Sequence, residues 1–144
     1  IKESGTEVTV IPGRLHAAEI DGENIPDLIP VLSVAACRAT GKTVIKNTAR
    51  LRQKESDRVE STVRLIRALG GKIRAGENYM EIEGCGILRG GTAEAFGDHR
   101  IAMSAAAASV FCENEVTVIG ADAVNKSYPT FFEEFDKLGG GVVK

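Results

Sequence analysis

Apolar side chains recur every three or four residues in the segment that follows Asp57. They are Val59, Val63, Ile66 and Leu69. This spacing places them on one face of an α-helix, and the Gly-Gly pair at 70–71 is a typical helix stop. The pattern therefore predicts a helix that starts near Asp57 and buries one face.

Three further segments also have helical character. Two Ala-rich apolar stretches, 28–39 and 101–112, follow Asp27 and Asp98 respectively, and each aspartate is a good N-cap. Pro30 then lies in the first turn of its helix, where proline is tolerated. The last segment begins after Pro129, and its apolar face would consist of Phe131, Phe132, Phe135 and Leu138.

β-Branched and alternating segments between these helices predict strands. Residues 42–46 and 116–119 are short β-branched runs. Residues 72–75 and 79–83 form a predicted hairpin around Gly76-Glu77-Asn78. Near the start of the chain, residues 7–11 and 15–20 are also predicted strands, with a turn at Pro12-Gly13 between them.

These elements occur twice in the same order. Four pairs of landmarks recur at offsets of 69 to 74 residues: Asp27 and Asp98, Ile45 and Ile119, Lys54 and Lys126, and Leu69 and Leu138. A repeat of this length is typical of a supersecondary unit used more than once. We therefore expect an α/β (α+β) domain built from repeated βαβαββ units at about 15–85 and 86–144, with helices packed together and sheets outside or beside them.

Composition limits the possible partners. Hydrophobic residues make up 43% of the 144 residues, and the net charge of −2 argues against nucleic acid or an acidic membrane as the main partner. Three cysteines, Cys37, Cys85 and Cys112, show no metal-ligand or redox spacing, which favours free thiols in a reducing cytosol. Because the sequence opens on Ile1 without a leader, we expect an excised domain or a partial product.

The charged run from Arg50 to Arg58 lies between a predicted strand and a predicted helix. Lys54 and Arg58 are four residues apart, so at a helix start they would share a face with Glu55 beside them. Free N–H groups and two cations at a helix N-terminus would make an anion site. A solvated charged face is the alternative, and spacing alone favours it because such runs are common on surfaces.

A second charged group, Asp98-His99-Arg100, lies at the start of a predicted helix. Capping alone would account for Asp98, whereas His99 and Arg100 lie where the helix dipole disfavours cations unless an anion arrives. Such a conflict with local preference is typical of functional sites, although a lone His-Arg pair is more often structural. Lys126 lies in a similar position between a strand and a helix, and on its own indicates only an exposed loop.

Taken together, these blocks resemble the 5-enolpyruvylshikimate-3-phosphate (EPSP) synthase family. The blocks are Ile25-Pro26-Asp27, the run 52–58 (RQKESDR), the run 97–103 (GDHRIAM) and the run 126–129 (KSYP). All four occur in the order and approximate spacing of the family, and the resemblance covers nearly the whole chain. It implies the enolpyruvyl transferase fold and enolpyruvyl transfer to the 5-hydroxyl of shikimate 3-phosphate.

The resemblance also implies how phosphoenolpyruvate would be held. Arg58, Arg100 and Lys126 would bind its phosphate and carboxylate, and His99 would orient neighbouring groups. Arginine suits this role because its planar fork binds carboxylate and phosphate bidentately. The family implies no metal and no organic cofactor.

On the same grounds, a second set of residues would serve the acceptor substrate. Asp27, Lys54 and Arg50 would contact shikimate 3-phosphate, with Asp27 as the base for the attacking hydroxyl. Glu55 would handle the proton at the methylene carbon of the enolpyruvyl group. Two carboxylates beside several cations can divide acid and base work in this way.

The family implies a two-lobed cytoplasmic enzyme with its active site in the cleft between the lobes. The chain would carry about two of six repeating units, so its partners would be the two substrates and the N-terminal lobe of the same enzyme. Two alternatives stay open. One is an enolpyruvyl transferase of the UDP-N-acetylglucosamine type, and the other is a non-catalytic domain that keeps the fold.

Overall fold

Helices and strands alternate along most of the chain in the structure, a computed structural model that describes residues 1–143. The strands are β1 Lys2–Ser4, β2 Glu7–Thr9, β3 Glu19–Asp21, β4 Lys42–Lys46, β5 Lys72–Ala75, β6 Tyr79–Glu83, β7 Gly91–Glu94 and β8 Val116–Ile119. The α-helices are α1 Ile29–Arg38, α2 Arg58–Ala68, α3 His99–Ser109 and α4 Phe131–Lys137. Two 3-10 helices, Ala49–Gln53 and Ala121–Lys126, follow β4 and β8.

The larger sheet has four strands in the order β3-β4-β6-β5. β3 is parallel to β4, whereas β6 is antiparallel to both β4 and β5. Ile45 in β4 and Met80 and Ile82 in β6 are fully buried. Alternate residues of these strands are more exposed, as expected for a sheet with one face on the core. The predicted hairpin at 72–83 is confirmed.

The smaller sheet repeats the first half of the larger one. β7 and β8 are parallel neighbours, like β3 and β4, and each pair is joined through a helix, α3 or α1. The N–H of Gly22 donates to the carbonyl of Lys46 in the first sheet and that of Ala95 to Ile119 in the second, a displacement of 73 residues. Ile45 and Val118 both pack on the core, whereas Ile119 is exposed. Ile45 therefore corresponds to Val118, one residue before the Ile119 that the sequence pattern suggests.

The helices form the centre of the molecule. α1 contacts α2 and α3, α2 also contacts α3, and the sheets lie beside this group, as expected from the sequence. All four apolar positions predicted for α2 are confirmed as core: Val59, Val63, Ile66 and Leu69 are buried. Burying each such side chain stabilises the fold by about 1.5–3 kcal/mol.

The beginning of the chain differs from the sequence prediction. β2 pairs with β1, which the sequence pattern did not reveal, and β3 begins only at Glu19. Pro12-Gly13 therefore does not join two paired strands. The difference arises because strand pairing depends on tertiary partners, whereas the local pattern specifies only an extended chain.

α4 is also less buried than its apolar pattern suggests. Phe131 and Phe132 pack on a small cluster with Ala95, Ala102 and Val124, but no residue of α4 is classed as buried. Leu138, expected on the buried face, is 88% exposed. The reason is that no hairpin equivalent to β5–β6 covers this side of the molecule within residues 1–143.

Two further sequence expectations can be compared with the described part of the chain. All three cysteines are free thiols: Cys37 is buried, Cys112 is half-buried and Cys85 is exposed. Burial raises the pKa of the Cys37 thiol to about 12. None of the helices described here has the length and apolar character needed to cross a membrane.

Candidate active site

The helix α2 begins at Arg58, later than the charged run suggests. The 3-10 helix Ala49–Gln53 is followed by Lys54, whose backbone is extended. Asp57 then caps α2 by accepting hydrogen bonds from the N–H groups of Val59 and Glu60, both at 3.1 Å. The expectation that Lys54 and Arg58 share one helix face is therefore wrong. The short non-helical segment 54–57 turns the side chain of Arg58 inward, whereas that of Lys54 stays partly exposed.

The helix α3 begins as predicted, with Asp98 as its N-cap. One Asp98 carboxylate oxygen accepts a hydrogen bond from the N–H of Arg100 at 2.9 Å. The side chain of Asp98 is fully buried and has further partners, so capping is only part of its role. This geometry places His99 and Arg100 in the first turn of α3, close to the start of α2.

Arg58 is the centre of the site. Its side chain is 1% exposed, and its Nε donates to Asp98 at 2.7 Å. Its two terminal nitrogens donate to Asp27 at 2.6 Å and to Glu55 at 2.7 Å. Burial would lower the pKa of Arg58, but the hydrogen bonds to Asp98 and Asp27 outweigh it, and the pKa is raised. The surface-run interpretation is therefore wrong for Arg58, which is an internal cation shared by three carboxylates.

Asp27 links the N-terminal ends of three helices. One carboxylate oxygen accepts from Arg58 and lies 3.8 Å from the Lys54 ammonium, and the other accepts from Arg100 at 3.3 Å. Hydrogen bonding to Arg58 lowers the pKa of Asp27. The predicted capping role is wrong within the described residues, because the N-cap of α1 is Leu28 and it makes no side-chain cap. Long-range cations attract the carboxylate more strongly than the local N–H groups.

Glu55 and Lys126 form the outer part of the site. Glu55 accepts from Lys126 at 2.8 Å through one oxygen and from Arg58 at 2.7 Å through the other. The hydrogen bond to Lys126 is the largest cause that lowers the pKa of Glu55 to about 2. Lys126, at the end of the second 3-10 helix, is thereby bonded to Glu55, which lies 71 positions earlier in the chain.

His99 and Arg100 keep donor or acceptor capacity free. Among the described residues, Nδ1 of buried His99 and Nε of Arg100 have no hydrogen-bond partner. Burial is the main cause that lowers the pKa of His99, followed by the nearby Arg100 charge. An unpaired buried polar atom costs free energy, so both atoms keep hydrogen-bonding capacity that the described residues do not use.

We call the set of mutually bonded charged residues the charge cluster; its members are Asp27, Lys54, Glu55, Arg58, Asp98, Arg100 and Lys126. Six of these seven are residues that the sequence analysis selected as site residues, and His99 lies next to them. Arg50 is not joined to the cluster by any bond described here; it donates instead to the carbonyl of Glu23 at 3.3 Å. A surface groove lined by Arg89 and Asn114 contains no residue of the charge cluster.

The model of the EPSP synthase family, 3-phosphoshikimate 1-carboxyvinyltransferase, matches residues 1–135 of the chain. The chain belongs to this family. This match confirms the expected family, and the matched range contains every residue of the charge cluster.

Individual EPSP synthases are similar over most of the chain. The 3-phosphoshikimate 1-carboxyvinyltransferase of Thermoanaerobacter sp. (strain X514) is 45% identical over 139 residues, which are 94% of this chain and 33% of the relative. That of Clostridium acetobutylicum is 44% identical over 127 residues, or 88% of this chain and 30% of the relative. The chain thus spans about a third of the length of these relatives.

The fold comparison gives the same result. A solved EPSP synthase structure from Acinetobacter baumannii has a TM-score of 0.80 and 31% identity, and it covers 86% of this chain and 30% of that one. The expected fold, α/β with repeated units as in the enolpyruvyl transferases, is therefore confirmed.

Asp98 and Ser56 are the members of the site that sequence reasoning did not identify. Asp98 accepts from Arg58 through both oxygens, at 2.7 and 3.3 Å, and from the Ser56 hydroxyl at 3.1 Å. The available signal was the N-cap pattern, which accounts for Asp98 without any link to residues about 40 positions away. Within residues 1–143, no cluster of three or more His, Cys, Asp or Glu side chains is arranged to hold a metal ion.

Proposed function

We propose that an enzyme containing this chain transfers the enolpyruvyl group of phosphoenolpyruvate to the 5-hydroxyl of shikimate 3-phosphate. The charge cluster supports the proposal, because cations from three separate parts of the chain meet at the start of α2 and α3. Free N–H groups at helix starts add partial positive charge at the same place. Membership of the EPSP synthase family supplies the reaction class.

Arg100 and Lys126 are proposed to bind phosphoenolpyruvate from the outer side of the cluster, and Arg58 from the inner side. In the structure these cations are neutralised by Asp27 and Glu55. A substrate with both a phosphate and a carboxylate would compete with the two carboxylates for the same donors. The unpartnered Nε of Arg100 and the adjacent His99 provide additional donors for it.

The two carboxylates are proposed to move the protons of the reaction. Both pKa values are lowered, so each group is ionised at neutral pH and can accept a proton. Asp27 would take the proton of the attacking hydroxyl as its oxygen bonds to the substituted alkene carbon, and would pass that proton to the phosphate as it leaves. Glu55, once protonated, would donate its proton to the methylene carbon and take one back from the methyl group in the elimination step. Movement of Lys126 to the substrate would raise the pKa of Glu55 for this role.

Shikimate 3-phosphate is proposed to contact Asp27, Lys54 and Arg50 on the side of the cluster nearest α1. Lys54 supports this role because its ammonium lies 3.8 Å from Asp27, a loose contact that leaves donors for a second anion. The remaining contacts would come from an N-terminal lobe that faces this surface across a cleft. Water exclusion by that lobe would strengthen each charged contact. A cytoplasmic location is part of the same proposal.

The observation that carries the proposal is the direct contact of Asp27 with both Arg58 and Arg100. It is tested in a full-length enzyme that carries this sequence. Arg100→Ala should raise the KM for phosphoenolpyruvate about a hundredfold, because it removes a charge-assisted hydrogen bond of about 2–3 kcal/mol. Glu55→Gln should instead lower mainly kcat, since its role is proton transfer.

The matched control is Arg64→Ala, which removes an exposed arginine of α2 outside the charge cluster; it pairs with exposed Glu60 and lies over the ring of Phe96. Its kinetics should equal those of the unmodified enzyme. Unchanged kinetics for Arg100→Ala would exclude Arg100 from the site. An effect of Glu55→Gln confined to KM would contradict the proton-transfer role.

A further inference from the structure

The segment that carries Lys54 and Glu55 is not held by helical hydrogen bonds. It lies between the 3-10 helix Ala49–Gln53 and α2, and neither residue belongs to a helix. The backbone of Lys54 is extended, with φ −94° and ψ −163°. A short irregular segment can adopt several conformations unless other parts of the fold hold it. The placement of both side chains therefore depends on contacts made around the segment.

Arg52 joins the two ends of this segment. One terminal nitrogen of its guanidinium donates at 2.9 Å to Asp57, five positions further along the chain. The other carboxylate oxygen of Asp57 accepts from the N–H groups of Val59 and Glu60 and so caps α2. The contact closes residues 52–57 into a loop whose far end is fixed on the start of α2.

The same guanidinium is also anchored on the β5–β6 hairpin. Its second terminal nitrogen donates at 3.0 Å to the carbonyl of Gly76, in the turn between the two strands. A planar guanidinium makes two such contacts at a fixed angle, whereas the ammonium of a lysine is a single point charge. Arg52 therefore holds the loop 52–57 against the hairpin as well as closing it.

A second residue of the hairpin turn holds the start of the 3-10 helix. The side-chain oxygen of Asn78 accepts from the N–H of Ala49 at 3.0 Å, and its backbone carbonyl accepts from that of Thr48 at 3.4 Å. Its side-chain nitrogen donates to Asn47 at 3.3 Å, and Asn47 in turn donates to Asp21 at 3.1 Å. The hairpin turn thus contacts the chain at both ends of the 3-10 helix.

We propose that Arg52 is a positioning residue for Glu55 and Lys54. No bond described here joins Arg52 to a member of the charge cluster, so it acts by fixing the backbone from which both side chains reach that cluster. This inference rests on the proposed function, because it concerns the residues assigned there to proton transfer and to shikimate 3-phosphate.

Such a support matters most when the substrates bind. In the structure, Glu55 is held by its hydrogen bonds to Arg58 and Lys126. Phosphoenolpyruvate would compete for both cations, so Glu55 would lose these contacts at the step in which its position decides the rate. The bonds of Arg52 lie outside the cluster and would persist. A misplacement of about 1 Å at a reacting group can cost about a hundredfold in rate.

The test is the steady-state kinetics of Arg52→Ala in a full-length enzyme that carries this sequence. We expect kcat to fall at least about tenfold and the KM for shikimate 3-phosphate to rise at least about threefold. The KM for phosphoenolpyruvate should change less than about twofold, because its proposed ligands lie outside the loop. A loss of folded enzyme alone would lower kcat and leave both KM values unchanged. Arg52→Lys should restore only part of kcat, because an ammonium cannot reproduce the planar pair of contacts.

Arg74→Ala is the matched control. Arg74 is an exposed arginine of the same hairpin, two residues before Gly76, and it pairs with Glu81 of β6. Its kinetics should equal those of the unmodified enzyme. Thermal melts of Arg52→Ala and Arg74→Ala should be similar, because each variant removes an exposed ion pair, which contributes little to stability. Backbone hydrogen exchange of residues 53–56 should be faster in Arg52→Ala than in Arg74→Ala, and equal exchange would overturn the inference.

A double-variant cycle tests the path through Asp57. Asp57→Asn keeps an oxygen for the cap of α2 and places an N–H donor opposite Arg52, and asparagine caps helices about as well as aspartate. Asp57→Asn should lower kcat about as much as Arg52→Ala, and the double variant should be no worse than either single variant. Additive losses in the double variant would overturn the role of this contact.

Two further outcomes separate this inference from the proposed function. Unchanged kinetics for Arg52→Ala, beside a low kcat for Glu55→Gln, would overturn the positioning role and leave the proposed function standing. An unmodified enzyme without the proposed turnover, or a fully active Glu55→Gln variant, would overturn the proposed function and this inference with it.

Discussion

Replacement of Asp98 by asparagine tests whether the buried cluster is an electrostatic unit. Asp98→Asn keeps the shape of the side chain and one oxygen acceptor, but it removes a full charge from the buried guanidinium of Arg58. The amide group would also place N–H donors where donors now point. If it replaces one oxygen, it meets Arg58 Nε and the Ser56 hydroxyl; if it replaces the other, it meets a terminal nitrogen of Arg58 and the N–H of Arg100. In either orientation, one hydrogen bond donated by Arg58 becomes a donor–donor conflict.

The expected loss of stability follows from the partners that remain. Removing one partner of a buried ion pair costs about 3–5 kcal/mol when the other charge is left uncompensated. Arg58 keeps its hydrogen bonds to Asp27 and Glu55, so we expect about 3 kcal/mol, at the lower end of that range. Domains have a total stability of about 5–15 kcal/mol, so the variant should still fold. Asp98→Ala should lose about 1 kcal/mol more, because it also removes the N-cap of α3.

The assay is urea unfolding followed by far-UV circular dichroism, which suits a chain without tryptophan. Asp98→Asn should lower the unfolding midpoint with little change in slope. Glu60→Gln is the control: it removes a carboxylate from α2 whose ion pair with Arg64 is exposed, and it should cost less than about 1 kcal/mol. Equal losses for the two variants would refute the view that Asp98 is the main buried counter-charge of Arg58.

Three other predictions concern the isolated chain. The pKa of Glu55 is about 2 in the fold against 4.5 in its unperturbed state. Ionised Glu55 therefore stabilises the fold fully above pH 4.5, and this contribution is lost as the pH falls towards 2. Over that range, the stability of Glu55→Gln should fall less than that of the unmodified chain. Identical pH profiles of stability for the two chains would contradict this. A thiol reagent should modify exposed Cys85 rapidly in the native chain and Cys37 only on unfolding, because Cys37 is buried with its pKa raised to about 12. Mass spectrometry of the labelled peptides distinguishes the two cysteines. The chain alone should melt cooperatively yet release no phosphate from the two substrates, since it spans about a third of the EPSP synthases that it matches; turnover by the purified chain would disprove the need for a second lobe.

The sequence by itself predicted the elements whose signals are local. The helix α2, the hairpin β5–β6 and the cap of α3 all follow from patterns within a few residues: apolar spacing, a turn between alternating segments, and an aspartate before a helix. The sequence also selected most of the charged site residues, through their resemblance to the EPSP synthase family. These signals are readable because spacing and capping depend on backbone geometry that every helix and strand shares.

Only the tertiary structure decided the environment of those charges. The same run of residues contains Arg58, which is buried, and Arg52, which is exposed and pairs with Asp57. Asp27 has the sequence context of an N-cap but instead binds cations 31 and 73 residues away. Burial and long-range pairing depend on how α1, α2 and α3 pack, and no local pattern encodes a partner at that distance. The repeat likewise predicted two units, but the partial exposure of α4 depends on which strands pack against it.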